Sequence, residues 1–522
     1  MTDLTSTIAI QLRDHLRTIH WQVRHHEACW MTQVGDGVAH LRGSPSVRYG
    51  ELLQRSDGLT ALAFDLRPHE IGALFLDPSE RASAGDEMHA TGTVASVPVG
   101  EELLGRVIDA LGRPLDELPP LHCKIAWPVE RDAPGVIDRQ PVREPLHTGL
   151  KVIDSLIPLG CGQRELILGD RATGKTAIAL DAILAQQDSG VICIYAAIGQ
   201  RKVSIAEVVE TLSRYDALAR TVIVAADADA PPGQQYLAPF SACTIGEYFM
   251  RQGKNVLVVY DDLTQHADAY RRISLLLNRP PAREAYPPDV FYLHARLLER
   301  ATRLHNRLGG GSLTALAIAT TQAGQISAYI PTNLISITDG QIYLDARLFN
   351  EGLRPAVDVG LSVSRVGGTA QPANLRRLAG DLKLLYAQLH ELETFARFGA
   401  ELEPETRRRL ERARRLKEAL KQPRLRPWRL GHEAVTLFAI REGLLDMIPV
   451  QNVGHFLDAL RQQLDELDTD LVRAMESEEP LADAVQNRLR RTIETLQTRF
   501  TNGVKNVSAA NPAAAPSRQH HP

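Results

Sequence analysis

One eight-residue phrase limits the folds open to this chain more than any other feature: GDRATGKT, Gly169 to Thr176. A strand-like run, ELILG, leads into it and a helix-like run, AIALDAILAQQ, follows. The spacing G-x-x-x-x-G-K-[ST] wraps successive backbone N–H groups around phosphate at a helix N-terminus, where the helix dipole favours negative charge. A chance match in a chain of 522 residues has odds on the order of 1 in 50, so the phrase is a strong signal. Gly169 and Gly174 are expected to let the backbone approach where a Cβ would clash. Asp170, Arg171, Ala172 and Thr173 complete the cradle. Lys175 is expected to neutralise the β and γ phosphates, and the Thr176 hydroxyl to ligate Mg²⁺.

Such a site needs a second acid at the C-terminal end of a neighbouring strand, holding the metal through water. NVLVVYDD, residues 255–262, is a strand-like run ending in Asp261 and Asp262. Alone, an Asp after an apolar run is most often a helix cap. Beside the phosphate loop, Asp261 is the candidate metal-side acid. Hydrolysis further requires a residue that orients or deprotonates water. Several polar residues follow strands, and local pattern does not choose among them.

Around these motifs the chain changes period. Residues 5–23 carry Ile8, Leu12, Leu16, Ile19 and Val23 at helical steps, which fits either a helix packed on its own domain or a docking arm. Residues 24–92 alternate short apolar runs with turn signals, as in a small β-barrel. Residues 93–372 alternate apolar strand runs such as VICIYAAI and LTALAIAT with helical ones, as in a parallel sheet covered on both faces. Residues 373–500 read as helices rich in Leu, Arg and Glu, with RRRLERARRL as a solvated face. Residues 501–522 are expected to be disordered.

Composition narrows the function classes. Apolar residues make up 44% and charged residues 23%, ordinary for a soluble globular protein. The net charge of −4 offers no electrostatic case for nucleic acid. Five scattered cysteines without a C-x-x-C pair read as free thiols, most of them buried, in a reducing compartment. The N-terminus lacks the pattern of a signal peptide, and no apolar run reaches membrane-spanning length.

Longer phrases then carry a resemblance. PVGEELLGRVIDALGRPLD, APGVIDRQPVREPLHTGLKVIDSLIPLGCGQRELILGDRATGKT, YDDLTQHADAYRRISLLL, RPPAREAYPPDVFYLHARLLERA and ISITDGQIYLDARLFNEGLRPAVDVGLSVSRVGG are similar to the alpha subunits of F-type ATP synthases, collinearly over about residues 24–480. The resemblance implies a multidomain α/β chain: an N-terminal β-barrel, a central RecA-like P-loop NTPase domain and a C-terminal helical bundle. It implies ATP or ADP with Mg²⁺ as ligands. It also implies an alternating hexamer of three alpha and three beta subunits around a central-stalk gamma subunit. Peripheral-stalk subunits would dock at residues 1–23, and a membrane ion sector driven by H⁺ or Na⁺ would lie below. The chain would lie on the cytoplasmic side of a bacterial plasma membrane and bind no nucleic acid. Beta subunits place a catalytic glutamate where this chain has Gln200, and a neutral amide is no base near pH 7. So the resemblance implies nucleotide binding without turnover. It further implies that Arg365, in LSVSRVGG, is an arginine finger for the beta site and that Ser362 is needed there. Read alone, Arg365 is a surface arginine and Ser362 a turn or strand hydroxyl.

The departures are specific. Ala172 replaces the glutamine of GDRQTGKT, which removes a polar contact. Cys161 stands where GRGQREL has arginine. On the adenine side, KQPRL keeps Gln422 but puts Arg424 in place of a second glutamine. These differences point to an alternate alpha, such as that of the sodium-linked N-type enzymes. Two other classes remain: a self-sufficient motor ATPase, which would need glutamate in place of Gln200, and a ring helicase, which would need a basic, aromatic N-terminal module.

Overall fold

The computed structural model describes residues 28–510 apart from 44–45, 81, 398–403 and 478. The helix expected over 5–23 lies outside the described residues. The chain divides into two compact units between Ala95 and Ser96.

The first unit is a closed six-stranded barrel of β1 (Ala28–Gly35), β2 (Val38–Gly43), β3 (Glu51–Gln54), β4 (Thr60–Arg67), β5 (Glu70–Phe75) and β6 (Glu87–Val94), in the order β1-β2-β5-β4-β3-β6. The turn signal Asp36-Gly37 makes the β1–β2 hairpin, with Gly35 paired to Val38 and both turn residues at positive φ, 49° and 83°. Two positive φ values match the right-handed twist of the flanking strands. Mostly aliphatic and sulfur side chains fill the interior, among them Cys29, Met31, Leu41, Leu53 and Met88, with Phe75. Closure leaves no strand edge exposed for pairing. Strand β6 runs to Val94, two residues past the boundary expected at 92.

The second unit is built on a nine-stranded sheet. Its main path uses β7 (Val107–Ile108), β8 (Arg164–Gly169), β9 (Ile192–Gln200), β10 (Thr221–Asp227), β11 (Asn255–Asp261), β12 (Ser312–Thr320), β13 (Gly340–Leu344) and β14 (Val363–Ser364), ordered β14-β13-β8-β12-β11-β9-β10-β7. Neighbours from β13 to β7 run parallel, while β14 pairs antiparallel with β13. Leu166, Ile167 and Leu168, and likewise Val256 to Tyr260, are at most 1% exposed, as strands covered on both faces must be. Helices α1 (Lys175–Leu184), α2 (Lys202–Arg214), α3 (Pro232–Arg251) and α4 (Leu263–Leu276) follow β8 to β11 in turn.

Helix α3 is buried along nearly its whole length and carries a buried charge. Arg300 is 1% exposed and donates to Glu247 (2.8 Å), Thr244 (2.7 Å) and the Val129 carbonyl (3.0 Å). Removing one partner of such a pair strands the other in low dielectric, at a cost of about 3–5 kcal/mol. Arg131 stays 3.7 Å from Glu247, so Arg300→Ala should cost the lower end, roughly 3 kcal/mol, in urea denaturation. A loss below about 1 kcal/mol, the worth of an exposed pair, would mean that the pair is not desolvated in solution.

The C-terminal part is helical: α5 (Ala373–Arg397), α6 (Pro404–Ala419), α7 (Leu430–Arg441), α8 (Val453–Leu467), α9 (Thr469–Glu476) and α10 (Asp483–Ala510). In α6, Leu410, Ala413, Leu416 and Ala419 face the core. The arginine run is only partly the solvated face expected. Arg412 donates to the Ile440 carbonyl (2.7 Å) and Arg415 to that of Ile448 (3.0 Å), satisfying carbonyls at and beyond the end of α7. The disorder expected from 501 is corrected as well: residues 501–510 continue α10, while 511–522 lie outside the described residues. Leu489 and Ile493 bury that helix, and Phe500 meets Phe456 edge-on at 5.5 Å, so the helix is anchored up to the start of the expected tail.

All five cysteines are free thiols, four of them buried. Among the described residues, no helix is long and apolar enough to cross a membrane.

Candidate nucleotide site

The phosphate loop leaves the C-terminal end of β8, at the sheet edge where parallel α/β folds bind ligands. Its two glycines serve different needs. A Cβ on Gly169 would meet the Leu344 carbonyl oxygen at 2.9 Å, so close backbone approach is the reason there. At Gly174 no atom of the chain lies within 4 Å of an added Cβ; the residue caps α1 at φ 100°, a left-handed conformation costly to any side chain. Ala172 also sits left-handed, at φ 62°. Lys175 is buried and its ammonium bonds the carbonyls of Gly169 and Asp170, both at 2.8 Å. Burial lowers its pKa, against the pull of Asp262, Asp261 and Asp170. Thr173 donates to the Asp170 carbonyl, and the Asp170 carboxylate accepts from Thr321 Oγ1 (2.6 Å) and the Gly324 N–H (3.0 Å). Arg171 is exposed and lines, with Asp170, Thr321 and Gln322, a cleft of about 460 Å³.

Asp261 ends β11 beside the loop. Its Oδ2 accepts from Thr176 Oγ1 and from the Tyr195 hydroxyl, each at 2.7 Å, and its Oδ1 accepts from Gln200 Nε2 at 3.0 Å. The loop, the metal-side candidate and Gln200 thus meet at one carboxylate. Burial raises its pKa, opposed by the Tyr195 and Thr176 hydrogen bonds. Asp262 serves differently, capping α4 through the Gln265 N–H (2.8 Å) and accepting from Thr320 (2.7 Å); burial pushes its pKa up to about 6. Sequence pattern missed Tyr195, which reads as one more core residue of VICIYAAI. The signal was a hydroxyl in an otherwise wholly apolar strand, since a buried phenol needs a partner.

A cavity of about 500 Å³ opens from Thr176, Ala177 and Asp261 toward α2, with Gln200, Arg424 and Leu425 on its wall. Gln422, expected on the base side, does not line it. That side chain is 4% exposed and its amide is spent on backbone: it accepts from the Lys151 N–H (3.1 Å) and donates to the carbonyls of Gly149 (2.6 Å) and Arg426 (2.8 Å). It holds the segment in place while Arg424 and Leu425 face the cavity. Leu425 adopts φ 60°, held by its N–H to Asp181 on α1 at 2.7 Å. Burial pushes the Asp181 carboxyl up to about 7 from 3.8. The folded state then binds this proton more tightly than the unfolded state, so this group's contribution falls as pH rises from about 4 to 7. Asp181→Asn should flatten the pH dependence of the melting temperature over that window; an unchanged slope would place the titration elsewhere.

Arg365 lies at the other end of the sheet, while Ser362 sits beside Tyr343, one residue from the pair of Leu344 with Gly169 at the loop end. Strand β14 pairs Ser364 with Gly340 at the start of β13, and the Arg365 N–H bonds the Asp339 carbonyl at 2.8 Å. Gly169 pairs with Leu344, five residues further along, or roughly 16 Å at about 3.3 Å per residue. Arg365 is exposed beside a cleft of about 340 Å³ and, among the described residues, forms no ion pair within 4 Å. Ser362 is 1% exposed; its hydroxyl donates to the Asp358 carbonyl (2.6 Å) and accepts from the Tyr343 N–H (2.9 Å).

Comparison with known proteins agrees with this architecture. Residues 149–364 match the family model for the ATP synthase alpha/beta family, nucleotide-binding domain, and residues 371–496 that for the ATP synthase alpha/beta chain, C terminal domain. The chain is similar to ATP synthase subunit alpha 2 of Syntrophus aciditrophicus (strain SB), with 54% identity over 448 residues, 86% of each chain. It is also similar to ATP synthase subunit alpha of Aquifex aeolicus (strain VF5), with 47% identity over 501 residues, 96% of this chain and 100% of that one. With a barrel, a P-loop domain and a helical C-terminal part in one collinear match, this chain belongs to the ATP synthase alpha/beta family, as an alpha subunit.

Proposed function

We propose that this alpha subunit binds Mg²⁺–ATP or ADP at its own loop without hydrolysing it, and acts catalytically only by lending Arg365 to a neighbouring beta subunit. The observation that carries this reading is the split between the two ends of the sheet: the loop and Asp261 at one end, and roughly 16 Å away at the other an exposed arginine with no ion pair within 4 Å among the described residues. An arginine so placed does not reach its own phosphates. It suits a site across a subunit interface, where a finger stabilises charge on the transferring phosphoryl group. Ser362 would act through position, fixing the short segment that presents Arg365.

Gln200 supports the non-catalytic half. Its amide donates to Asp261 at 3.0 Å, and no protonation state of an amide takes a proton from water near pH 7. The donor set suits Mg²⁺, which favours oxygen ligands and keeps several waters: Thr176 Oγ1 and Asp261 Oδ2, 2.7 Å apart, supply the protein side. When bound, the ion neutralises charge between the β and γ phosphates. Lys175 would turn from its loop carbonyls to those phosphates.

Within the assembly we place this subunit in the peripheral head of a rotary enzyme on the cytoplasmic side of a bacterial plasma membrane. Beta subunits would alternate with it around a gamma stalk, peripheral-stalk subunits would dock on residues 1–23, and an H⁺ or Na⁺ sector would drive ATP synthesis or be driven in reverse. The alpha 2 name of the Syntrophus relative favours an alternate alpha. The deciding experiment is Mg-ATP turnover by the purified chain, with bound nucleotide quantified in the same sample. Bound nucleotide with negligible turnover, restored on adding the beta partner, is expected. Steady turnover by the lone chain would overturn the reading.

A further inference from the structure

Away from the nucleotide loop, three side chains that the proposed function does not use converge between the segment leading into β8 and helix α7. His147 Nδ1 lies 2.7 Å from Asp154 Oδ2, and Glu433 completes the group: one ligand atom from each of the three lies within 4.8 Å of the others. Asp154 is 4% exposed and oriented by the Thr148 N–H (3.0 Å), the Thr148 hydroxyl (2.8 Å) and the Gly149 N–H (2.9 Å). His147 Nε2 is engaged by the Trp428 carbonyl at 2.8 Å, which directs Nδ1 toward the acids. One ring nitrogen tied to a carbonyl, with the other turned toward carboxylates, is the arrangement that orients metal-bound imidazoles.

Glu433 is the second, independent observation. It is 1% exposed, and among the described residues no N–H donor reaches either carboxylate oxygen; its side chain meets only that of Asp154, a second carboxyl. Buried polar groups are nearly always satisfied, and one that is not calls for an unrecorded ion or water. The nearby cation does not fill that role: the Lys151 ammonium bonds the Ala419 carbonyl at 2.5 Å and lies over the Trp428 ring, 4.2 Å from its centre.

We propose that His147, Asp154 and Glu433 bind one divalent transition-series cation, Zn²⁺ in preference to Mg²⁺ or Ca²⁺. One imidazole nitrogen with two carboxylates is a donor set of the kind zinc takes, with water in the fourth position, whereas Mg²⁺ and Ca²⁺ favour all-oxygen sites. A neutral imidazole, two carboxylates and a dication sum to zero charge, which suits a buried place. Tetrahedral bonds of about 2.1 Å set ligand atoms roughly 3.4 Å apart, so the His147–Asp154 contact opens slightly and Glu433 moves inward. The ion ties α7 to the turn at Gly149, the same turn that Gln422 grips, and so braces the cavity wall carrying Arg424 and Leu425.

The test uses the full-length chain, stripped with EDTA, then given excess Mg-ATP so that the phosphate loop is occupied. Zn²⁺ is titrated with metal content read by mass spectrometry, and Co²⁺ with its visible absorption. Uptake of one Zn²⁺ per chain is expected, with the intense bands of tetrahedral Co²⁺, both lost in His147→Gln and in Glu433→Gln. A readout that needs no variant is Zn²⁺ protection of His147 from diethyl pyrocarbonate in the unmodified chain. No uptake by the folded chain, uptake unchanged in Glu433→Gln, or His147 modified equally with and without Zn²⁺ would each overturn the proposal.

Discussion

Replacing Arg365 by alanine is expected to lower ATP turnover of the assembled alpha–beta complex by roughly 10³–10⁵-fold, the range for arginine fingers in related NTPases. Subunit assembly and nucleotide bound to the alpha loop should be unchanged, because Arg365 is exposed and, among the described residues, makes no ion pair within its own chain. Arg365→Lys should recover only a small part, since an ammonium lacks the planar fork that bonds two phosphoryl oxygens at once. Steady-state turnover on purified complexes, beside nucleotide content by acid extraction, separates the two effects. Turnover within a few-fold of the unmodified complex would remove the finger assignment.

Lys175→Ala is expected to act on the opposite ledger, emptying the alpha site while leaving the finger in place. Two charge-assisted contacts to phosphate at about 1.5–3 kcal/mol each correspond to roughly 10²–10⁴ in affinity. The fold should tolerate the change, because Lys175 is buried with a lowered pKa and the free chain loses only two bonds, to the carbonyls of Gly169 and Asp170. Equilibrium binding of a fluorescent ATP analogue to the isolated chain is the direct measurement. Affinity within tenfold of the unmodified chain would mean that backbone amides alone hold the phosphates.

Much of this architecture was legible in the amino-acid sequence, where the information is local. The strand, loop and helix around Gly169–Thr176 stand where the pattern puts them, since periodicity, a glycine pair and a lysine act over ten residues. The barrel hairpin at Asp36-Gly37 was equally local. Gln422 was not. Its residue type and its neighbours fit a base-side contact, yet the turn at Gly149, 273 residues earlier, absorbs its amide and leaves Arg424 at the cavity. At Gly174 the fold adds a need for glycine that the motif does not spell out, a left-handed φ of 100°. The arginines of α6 looked solvated because their partners, the carbonyls of Ile440 and Ile448, lie about thirty residues downstream.

The sequence by itself determined which chemistry is present: a phosphate-binding loop, an acid ending a buried strand, an amide where a base would be needed, and a family. Those follow from residue type and short spacing, which covalent geometry preserves in any fold. Only the tertiary structure decided which groups meet and which are kept apart. It joined Tyr195, Thr176 and Gln200 on Asp261, closed His147, Asp154 and Glu433 around one buried point, and set Arg365 at the far end of the sheet from its own loop. Strand order and register impose those distances, and they arise from long-range packing that no local pattern encodes.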